Sequence, residues 1–246
     1  MENISLAGVE PEMFRQFTQI NLGDSTMLAT LHSLGRGATT VVLDQNMEAF
    51  EGLLHELKNG VPVFGFLKES KRLYYYYASI VEKILNNKAL TEEMQRVYEE
   101  AWAGAKDNLG SLYVSNSTIE DNVASVDKPK PIADLITYYY PSPATDPVFK
   151  ALDFAGLFLK PGGEFVVASE NKNVTDAFTS LGGEFVTKSG FVKRSGPYLS
   201  AYDIAWGQQG RYEVHIKNKS GRLHEHINTM KSSLAFRVMG ALGMMK

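Results

Sequence analysis

The segment from Ile20 to Asp44 is the feature that most limits how this chain can fold. It reads as an apolar strand, a polar turn (GDST, residues 23–26), a helix and a second apolar strand that ends in an acid. Asp44 follows Gly23 by about 20 residues, the interval found in nucleotide-binding β-α-β units. In such a unit the turn lies below the ligand and the acid accepts hydrogen bonds from the ribose hydroxyls. The segment therefore predicts an α/β sheet with a nucleoside site at one edge.

The turn has a single glycine, Gly23, where dinucleotide-binding turns have three. Because a pyrophosphate needs the backbone to approach it closely, this turn is a poor site for NAD or FAD. An adenosine without phosphates fits better, and S-adenosylmethionine (SAM) is the common cofactor of that kind. The start of the helix, with the hydroxyls of Ser25 and Thr26, would suit the carboxylate of SAM. The predicted cofactor-binding residues here are Gly23, Asp24, Ser25, Thr26, Asp44 and Gln45.

Simpler interpretations of these residues exist. Asp, Ser and Thr are preferred helix N-caps, so the turn could do no more than begin the helix. Asp44 could likewise be an ordinary turn residue at the end of a strand.

Composition narrows the class of protein. With 246 residues, of which 44% are hydrophobic, the chain can bury a full core, and one domain over residues 1–246 is expected. A net charge of −3 indicates no general attraction to nucleic acid. Because there are no cysteines, disulfides and thiolate chemistry are excluded. The start of the chain does not resemble a signal peptide, and no apolar run reaches the roughly 18 residues of a membrane span. A cytoplasmic protein is expected.

Strand-like and helix-like segments alternate along the rest of the chain. Residues 47–58 have apolar side chains at helical spacing, and residues 67–108 read as a helical insertion in which Thr91 caps a helix. Residues 184–194 and 198–207 are expected to form an antiparallel hairpin, to which 211–218 could add a strand, and a methionine-rich helix is expected at 223–245. The predicted fold class is α/β: a Rossmann-like, seven-stranded, mostly parallel sheet with helices on both faces, a C-terminal antiparallel hairpin and the helical insertion.

This layout resembles the class I SAM-dependent methyltransferase fold over residues 14–207. LKPGGEFVVASE (159–170) matches that family's turn into its fifth strand, and Asp44 matches its ribose-binding acid. The family's acid and three spaced glycines on the first strand are reduced here to INLGDST. The resemblance implies that a polar residue among Asn116, Ser117 and Thr118 contacts adenine; an ordinary polar loop is the alternative.

The same resemblance places YYYPSP (138–143) at the end of the fourth strand, beside the sulfonium of SAM. Tyr138, Tyr139 and Tyr140 are therefore the predicted catalytic residues. A tyrosine face stabilises a nearby cation by roughly 0.5–2 kcal/mol. Since alternate side chains of a strand face opposite sides, only some of the three can reach the ligand, and core packing is the alternative for each.

A narrower resemblance concerns the reaction. GDST, then VVLDQNMEAFEGLLHELK and a long helical insertion, is similar to the 3-amino-3-carboxypropyl transferases of betaine-lipid synthesis. Nicotianamine synthases and enzymes that form azetidine-2-carboxylate share this reaction type. The resemblance implies attack on the γ-carbon of the methionine moiety, with a small molecule or the cofactor's own amine as nucleophile, and release of methylthioadenosine.

Other functions stay open at this point. Methylation of a small molecule is one alternative, and a non-catalytic or effector-type relative of the fold is another. The five histidines show no metal-ligand spacing, so no metal is expected. The expected partner is a small-molecule substrate and not a nucleic acid; the methionine-rich tail would also suit a homodimer.

Overall fold

The structure is a computed structural model that describes residues 2–14, 16–24, 26–44, 47–60, 82–83, 85–139, 148–193 and 210–232. The strands are β1 (Glu2–Asn3), β2 (Thr18–Leu22), β3 (Thr39–Leu43), β4 (Leu112–Ser115), β5 (Ala133–Tyr139), β6 (Leu159–Ser169), β7 (Val186–Lys193) and β8 (Gly210–Lys217). The α-helices are α1 (Leu28–Gly35), α2 (Met47–Lys58), α3 (Lys88–Ala105), α4 (Ile119–Ala124), α5 (Val148–Phe158), α6 (Lys172–Phe178) and α7 (Leu223–Ser232).

All eight strands form one sheet in the order β1-β4-β3-β2-β5-β6-β8-β7. The pairs from β1 to β6 are parallel, whereas β8 runs antiparallel to both β6 and β7. Apart from the two-residue β1, this is a seven-stranded, doubly wound sheet whose strand order reverses between β2 and β5. The predicted Rossmann-like fold class is confirmed, including the antiparallel pair near the C-terminal end.

Helices cover the sheet on both faces. On one face, buried side chains of α5, α6 and α7 pack against alternate residues of the central strands. On the other, α1, α2 and α3 pack against β3 and β4. Strand β3 shows why three successive residues are apolar, since Val41 and Leu43 join the first cluster and Val42 joins the second.

The helices agree with the spacing of apolar residues, with one correction. In α2 the side chains of Phe50, Leu53, Leu54 and Leu57 are all buried, as their spacing predicts. The expectation that Thr91 caps a helix is wrong: Asn87 is the N-cap of α3, and its side chain accepts a hydrogen bond from the Leu90 amide. Thr91 lies in the first turn of the helix, where its hydroxyl donates to the Asn87 carbonyl oxygen.

The turn at 161–163 shifts the register between β5 and β6. Leu159 pairs with Ala133, but after the turn Glu164 pairs with Leu135. A β-carbon on Gly163 would lie 3.0 Å from the Lys160 carbonyl oxygen and 3.1 Å from that of Ala133. Only glycine fits this approach of two backbones, which explains the PGG motif without reference to a ligand.

The antiparallel pair that the structure describes includes the optional strand. β7 pairs with β8, which corresponds to the strand at 211–218. Residues 198–207 lie outside the described part of the chain, as do residues 61–81 of the insertion region and 233–245 of the C-terminal helix. Among the helices that the structure does describe, none is long and apolar enough to span a membrane.

Candidate functional site

The site predicted from the sequence lies at the carboxyl ends of four neighbouring strands. The register aligns Leu22 of β2 with Leu43 of β3 and with Tyr138 of β5, and Leu43 with Ser115 of β4. The next residue on each strand therefore lies along the same edge: Gly23, Asp44, Tyr139 and Asn116. Because β2 has β3 on one side and β5 on the other, this edge is the point where the strand order reverses and where such sheets bind ligands.

Gly23 turns the chain out of β2 with a left-handed backbone, at φ +65°. Its amide donates to the Leu43 carbonyl oxygen over 2.8 Å, which joins the turn to the end of β3. Apart from its chain neighbours, no heavy atom of the described residues lies within 4 Å of the position that a β-carbon would occupy. The positive φ favours glycine at this position, which is open in the described part of the chain.

Asp24 precedes helix α1 in the chain, and its side chain caps the first turn of that helix. Its Oδ2 accepts hydrogen bonds from the backbone amide of Thr30 at 2.7 Å and from the Thr30 hydroxyl at 2.5 Å. Met27, the N-cap residue by backbone conformation, provides no side-chain hydrogen bond and has a left-handed φ of 61°. The capping interpretation therefore applies to Asp24, and it does not exclude a ligand role for the same carboxylate.

The environment of Asp24 disfavours its charge. Burial raises the pKa of this carboxyl from its ordinary value to about 6; the hydrogen bonds from Thr30 act in the opposite direction, and the negative charge of Asp44 raises the pKa further. Asp44 is itself only 7% exposed, and its amide donates to the Ser115 carbonyl oxygen over 3.1 Å. Two buried carboxylates thus lie close enough to repel each other at the carboxyl edge of the sheet.

The residues predicted to contact adenine follow β4, and they differ in how far their side chains are engaged. Asn116 is exposed, and the Ser117 amide donates to the Ser115 hydroxyl oxygen at 3.4 Å. Thr118 is the N-cap of α4: its hydroxyl accepts from the Asp121 amide, and its own amide donates to the Asp121 carboxylate. Hydrogen bonds to the Asp121 carboxylate from the Thr118 side chain and from the Thr118 amide lower the pKa of Asp121. Asn116 and Ser117 lie beside Asp44 along the edge, whereas the Thr118 hydroxyl is already hydrogen-bonded to the first turn of α4.

The tyrosines at the end of β5 separate onto two faces of the sheet. Tyr138 is 4% exposed and belongs to the apolar cluster under α5. Tyr139 lies on the opposite face, half-buried, with the guanidinium of Arg211 5.1 Å from the centre of its ring. Tyr140, like Ser25 and Gln45, lies outside the described residues. The roles of all these residues as ligands or catalysts stay predictions.

Sequence reasoning missed a buried polar ladder directly beneath the turn. Asn21 on β2 accepts hydrogen bonds at its Oδ1 from Gln19 (2.7 Å) and from Thr137 of β5 (2.6 Å). Its amide nitrogen donates to the hydroxyl oxygen of Thr30 at 3.1 Å. The sequence does carry a signal, because Gln19 and Asn21 alternate with the apolar Ile20 and Leu22 in a strand that is buried on both faces.

Tyr98 of α3 also contacts the turn, and no sequence motif marks it as a site residue. It is fully buried, and its hydroxyl donates to the Thr26 carbonyl oxygen. Burial and the charge of Asp24 both raise the pKa of this phenol, so it stays protonated. The contact connects the described helix of the insertion to the turn after β2.

The residues that the structure describes include no group of three or more histidine or acidic side chains placed to hold a metal ion. The described side chains at this edge are carboxylates, hydroxyls, an amide and one tyrosine ring.

Comparisons with known proteins add little. No protein-family model and no curated protein matches the chain. Solved structures that resemble it include a putative methyltransferase from Thermoplasma acidophilum, with 15% identity over 84% of this chain and 69% of that chain and a TM-score of 0.39. The N-methyltransferase NodS from Bradyrhizobium japonicum WM9, in complex with S-adenosyl-L-homocysteine (SAH), has 12% identity over 82% and 78% of the two chains and a TM-score of 0.38. A SAM-dependent O-methyltransferase from Thermotoga maritima has 11% identity over 84% and 62% and a TM-score of 0.37. Superpositions of this quality carry no argument about function, and the fold assignment rests on strand order and direction.

Proposed function

We propose that this chain binds SAM at the carboxyl edge of β2, β3 and β4 and uses it as a group donor. The observation that carries the proposal is the buried pair Asp24 and Asp44 beside the open, left-handed backbone of Gly23. Asp44 stands where an acid accepts hydrogen bonds from ribose hydroxyls. A second carboxylate nearby favours a ligand with a net positive charge, as SAM has, over NAD or FAD, whose pyrophosphates make them negative overall.

For the reaction we propose transfer of the 3-amino-3-carboxypropyl group. When bound, SAM supplies an activated carbon: a nucleophile bonds to the γ-carbon, the carbon–sulfur bond breaks, and its electron pair stays on sulfur in neutral methylthioadenosine. The nucleophile is a small molecule, or the cofactor's own amine in a ring closure. Because the leaving group is neutral, the protein's part is to orient the reactants and exclude water. Tyr139 lies on the same face of the sheet as Thr137 and Asn21. It is the described tyrosine that we propose beside the sulfonium.

Methyl transfer to a small molecule is the second candidate. Tyr138 lies in the apolar core, so one of the three tyrosines proposed around the sulfonium is engaged elsewhere. Because both reactions start from the same sulfonium, the position of Tyr138 leaves methyl transfer as a candidate beside γ-carbon attack.

The adenosyl product separates the two reactions. The purified protein is incubated with SAM, alone and with pooled small-molecule acceptors, and adenosyl products are followed by chromatography. Methylthioadenosine formed faster than in a protein-free control supports γ-carbon chemistry, and SAH supports methyl transfer and contradicts our first choice.

Binding is tested independently of turnover by calorimetry with SAM and SAH. Asp44→Asn should weaken binding by about 10- to 100-fold, because a hydrogen bond to a charged group contributes about 1.5–3 kcal/mol. Asp127→Asn, at an exposed position away from the edge, is the matched control and should bind as the wild type does. A folded wild-type protein that binds neither compound would favour the non-catalytic alternative.

A further inference from the structure

The hydrogen bonds of the polar ladder below the turn are all donated toward Asp24. Thr137 and Gln19 donate to the Asn21 Oδ1, and the Asn21 Nδ2 donates to the Thr30 hydroxyl oxygen. A hydroxyl has one proton. Because the Thr30 oxygen already accepts from Asn21, that proton points to the Asp24 Oδ2, 2.5 Å away.

The ladder therefore connects β2 and β5 to Asp24 through Thr30 of α1. The Asp24 Oδ2 receives the hydroxyl and the backbone amide of Thr30 together. Both bonds favour the ionised carboxylate, and they oppose the effect of burial. Asn21, Thr30 and Thr137 are all buried, so bulk water does not replace a donor that is removed.

The second oxygen of Asp24 is engaged less tightly. Its Oδ1 has one described contact, with the Thr26 hydroxyl at 3.4 Å. Asp24 as a whole is 9% exposed, whereas Thr30 behind it is fully buried. The carboxylate is thus held through Oδ2 by Thr30, while Oδ1 has the weaker described contact.

We propose that Asn21 and Thr30 are positioning residues that hold the Asp24 carboxylate in place as the acceptor for the α-ammonium group of the bound cofactor. This inference rests on the proposed function, since it requires an adenosyl amino acid at the edge. A cation there relieves the repulsion between Asp24 and Asp44, and the ladder keeps one carboxylate charged and oriented before the cation arrives.

Three adenosyl ligands test the assignment. SAM and SAH both carry the α-ammonium group, and methylthioadenosine does not. The groups facing Asp24 that titrate are Asp44, which follows β3, and Tyr98 of α3, which stays protonated throughout. Since Asp44 is proposed to bind ribose, its titration would affect all three ligands alike, and methylthioadenosine serves as its control.

Affinities are measured by calorimetry between pH 5 and 8. Protonation of Asp24 removes the charge that the ammonium needs, so SAM and SAH should bind about tenfold more weakly at pH 5 than at pH 7, and methylthioadenosine should show no such loss. Equal pH profiles for all three ligands would overturn the inference alone. A loss seen with SAM but not with SAH would assign Asp24 to the sulfonium and also overturn it. If none of the three binds, the proposed function itself fails.

Variants of Thr30 test the positioning role. Thr30→Val keeps the backbone amide and the shape but removes the hydroxyl donor, so the midpoint of the SAH profile should move up by about one pH unit. Thr30→Ser restores the hydroxyl and should restore the midpoint. Ser33→Ala removes another buried hydroxyl of α1, one that contacts Thr40 and not the ladder, and should leave the midpoint in place. A midpoint that moves equally in Thr30→Val and Ser33→Ala would show a merely structural effect.

Asp24→Asn provides a second route if Thr30→Val does not fold. It should abolish the difference in pH profile between SAH and methylthioadenosine while methylthioadenosine still binds. If the difference between the two pH profiles persists in this variant, a group other than Asp24 causes it, and the inference is contradicted.

Discussion

Tyr138 and Tyr139 are neighbours in sequence with opposite environments. The side chain of Tyr138 packs in the apolar cluster below α5, and that of Tyr139 lies on the other face next to Arg211. The pattern YYY shows that successive residues of a strand must alternate, but it does not show which of them faces the core. That choice depends on the register of β5 against β2 and β6, which involves residues more than 100 positions apart for β2.

Alanine variants of the two tyrosines should separate stability from activity. Tyr138→Ala removes a large buried ring, and we expect the free energy of unfolding to fall by about 3–5 kcal/mol. Tyr139→Ala removes a half-buried ring, so it should lower the rate of adenosyl product formation with a smaller loss of stability. Urea denaturation and the product assay measure the two effects. Equal destabilisation by both variants, with the product rate unchanged in Tyr139→Ala, would remove Tyr139 from the site.

Asp24 shows how one residue can satisfy two interpretations of the same motif. The turn GDST was compatible with a helix cap or with a cofactor turn, and sequence statistics treat these as alternatives. In the structure the carboxylate caps α1 through Thr30 and still lies beside Asp44. The sequence could locate the acid, but not the ladder behind it, because Asn21, Thr30 and Thr137 belong to three different elements.

Among the elements, β6 and β8 hold a row of charged side chains on the face that carries Tyr139. The His215 ring contacts the Glu164 carboxylate over 2.8 Å at Nδ1 and the Glu213 carboxylate over 3.2 Å at Nε2. Arg211 donates from Nε to the other oxygen of Glu213 at 2.9 Å. The row thus extends from the centre of the antiparallel pair to the ring of Tyr139, through the contact with Arg211.

This row makes a pH-dependent contribution to folding. Hydrogen bonds from the His215 ring to the carboxylates of Glu164 and Glu213 raise the pKa of His215 to about 9, and the same bonds lower the pKa of both glutamates. A histidine with a raised pKa stabilises the fold fully below its unfolded-state value, about 6.5, and the contribution is lost as pH rises through about 9. For the glutamates the contribution is present above their unfolded-state value, about 4.5, and is lost in acid.

We therefore expect stability to fall between pH 7 and 9.5 in the wild type and to change less in His215→Gln, which keeps a polar group but has no charge. Urea denaturation at several pH values measures this. His55→Gln on the exposed side of α2 is the control and should follow the wild type. Parallel curves for the wild type and His215→Gln would show that the row does not hold a proton on His215.

The partner of β7 is another property of elements that local sequence could not decide. The short connection at 195–197 favoured pairing of 184–194 with 198–207, which lies outside the described residues; the partner that the structure describes for β7 is β8, at 210–217. A turn motif reports only on the next few residues. β8 also pairs with β6, and its Val214 and Ile216 are buried in the same apolar cluster as the residues of α5. The position of β8 in the sheet therefore depends on contacts with distant segments.

For the whole molecule, the two apolar clusters lie on opposite faces of one sheet, and the candidate site lies at its carboxyl edge. A ligand bound at this edge would connect turns after β2, β3 and β4, and so stabilise the folded state as a unit. Binding at a hundred times the dissociation constant adds about 2.7 kcal/mol to the free energy of unfolding.

SAH at that concentration should therefore raise the melting temperature by roughly 5–10 °C for a domain of this size. Scanning fluorimetry measures the shift, with NAD at the same concentration as the control. Because one glycine in the turn leaves no cradle for a pyrophosphate, NAD should produce no shift. An equal shift with NAD would contradict the adenosine-without-phosphate interpretation of the turn.

Sequence alone determined the alternation of strands and helices, the fold class and the placement of Gly23 and Asp44 at the ends of two strands. These properties follow from local periodicity and turn chemistry, which act over a few residues. Only the tertiary structure decided the face on which Tyr138 lies, the partner of β7, the contact of Tyr98 with the turn, and the ladder from Thr137 through Asn21 and Thr30 to Asp24. Each of these depends on register and packing between distant segments, where the free energy belongs to the assembled sheet and not to any one segment of the chain.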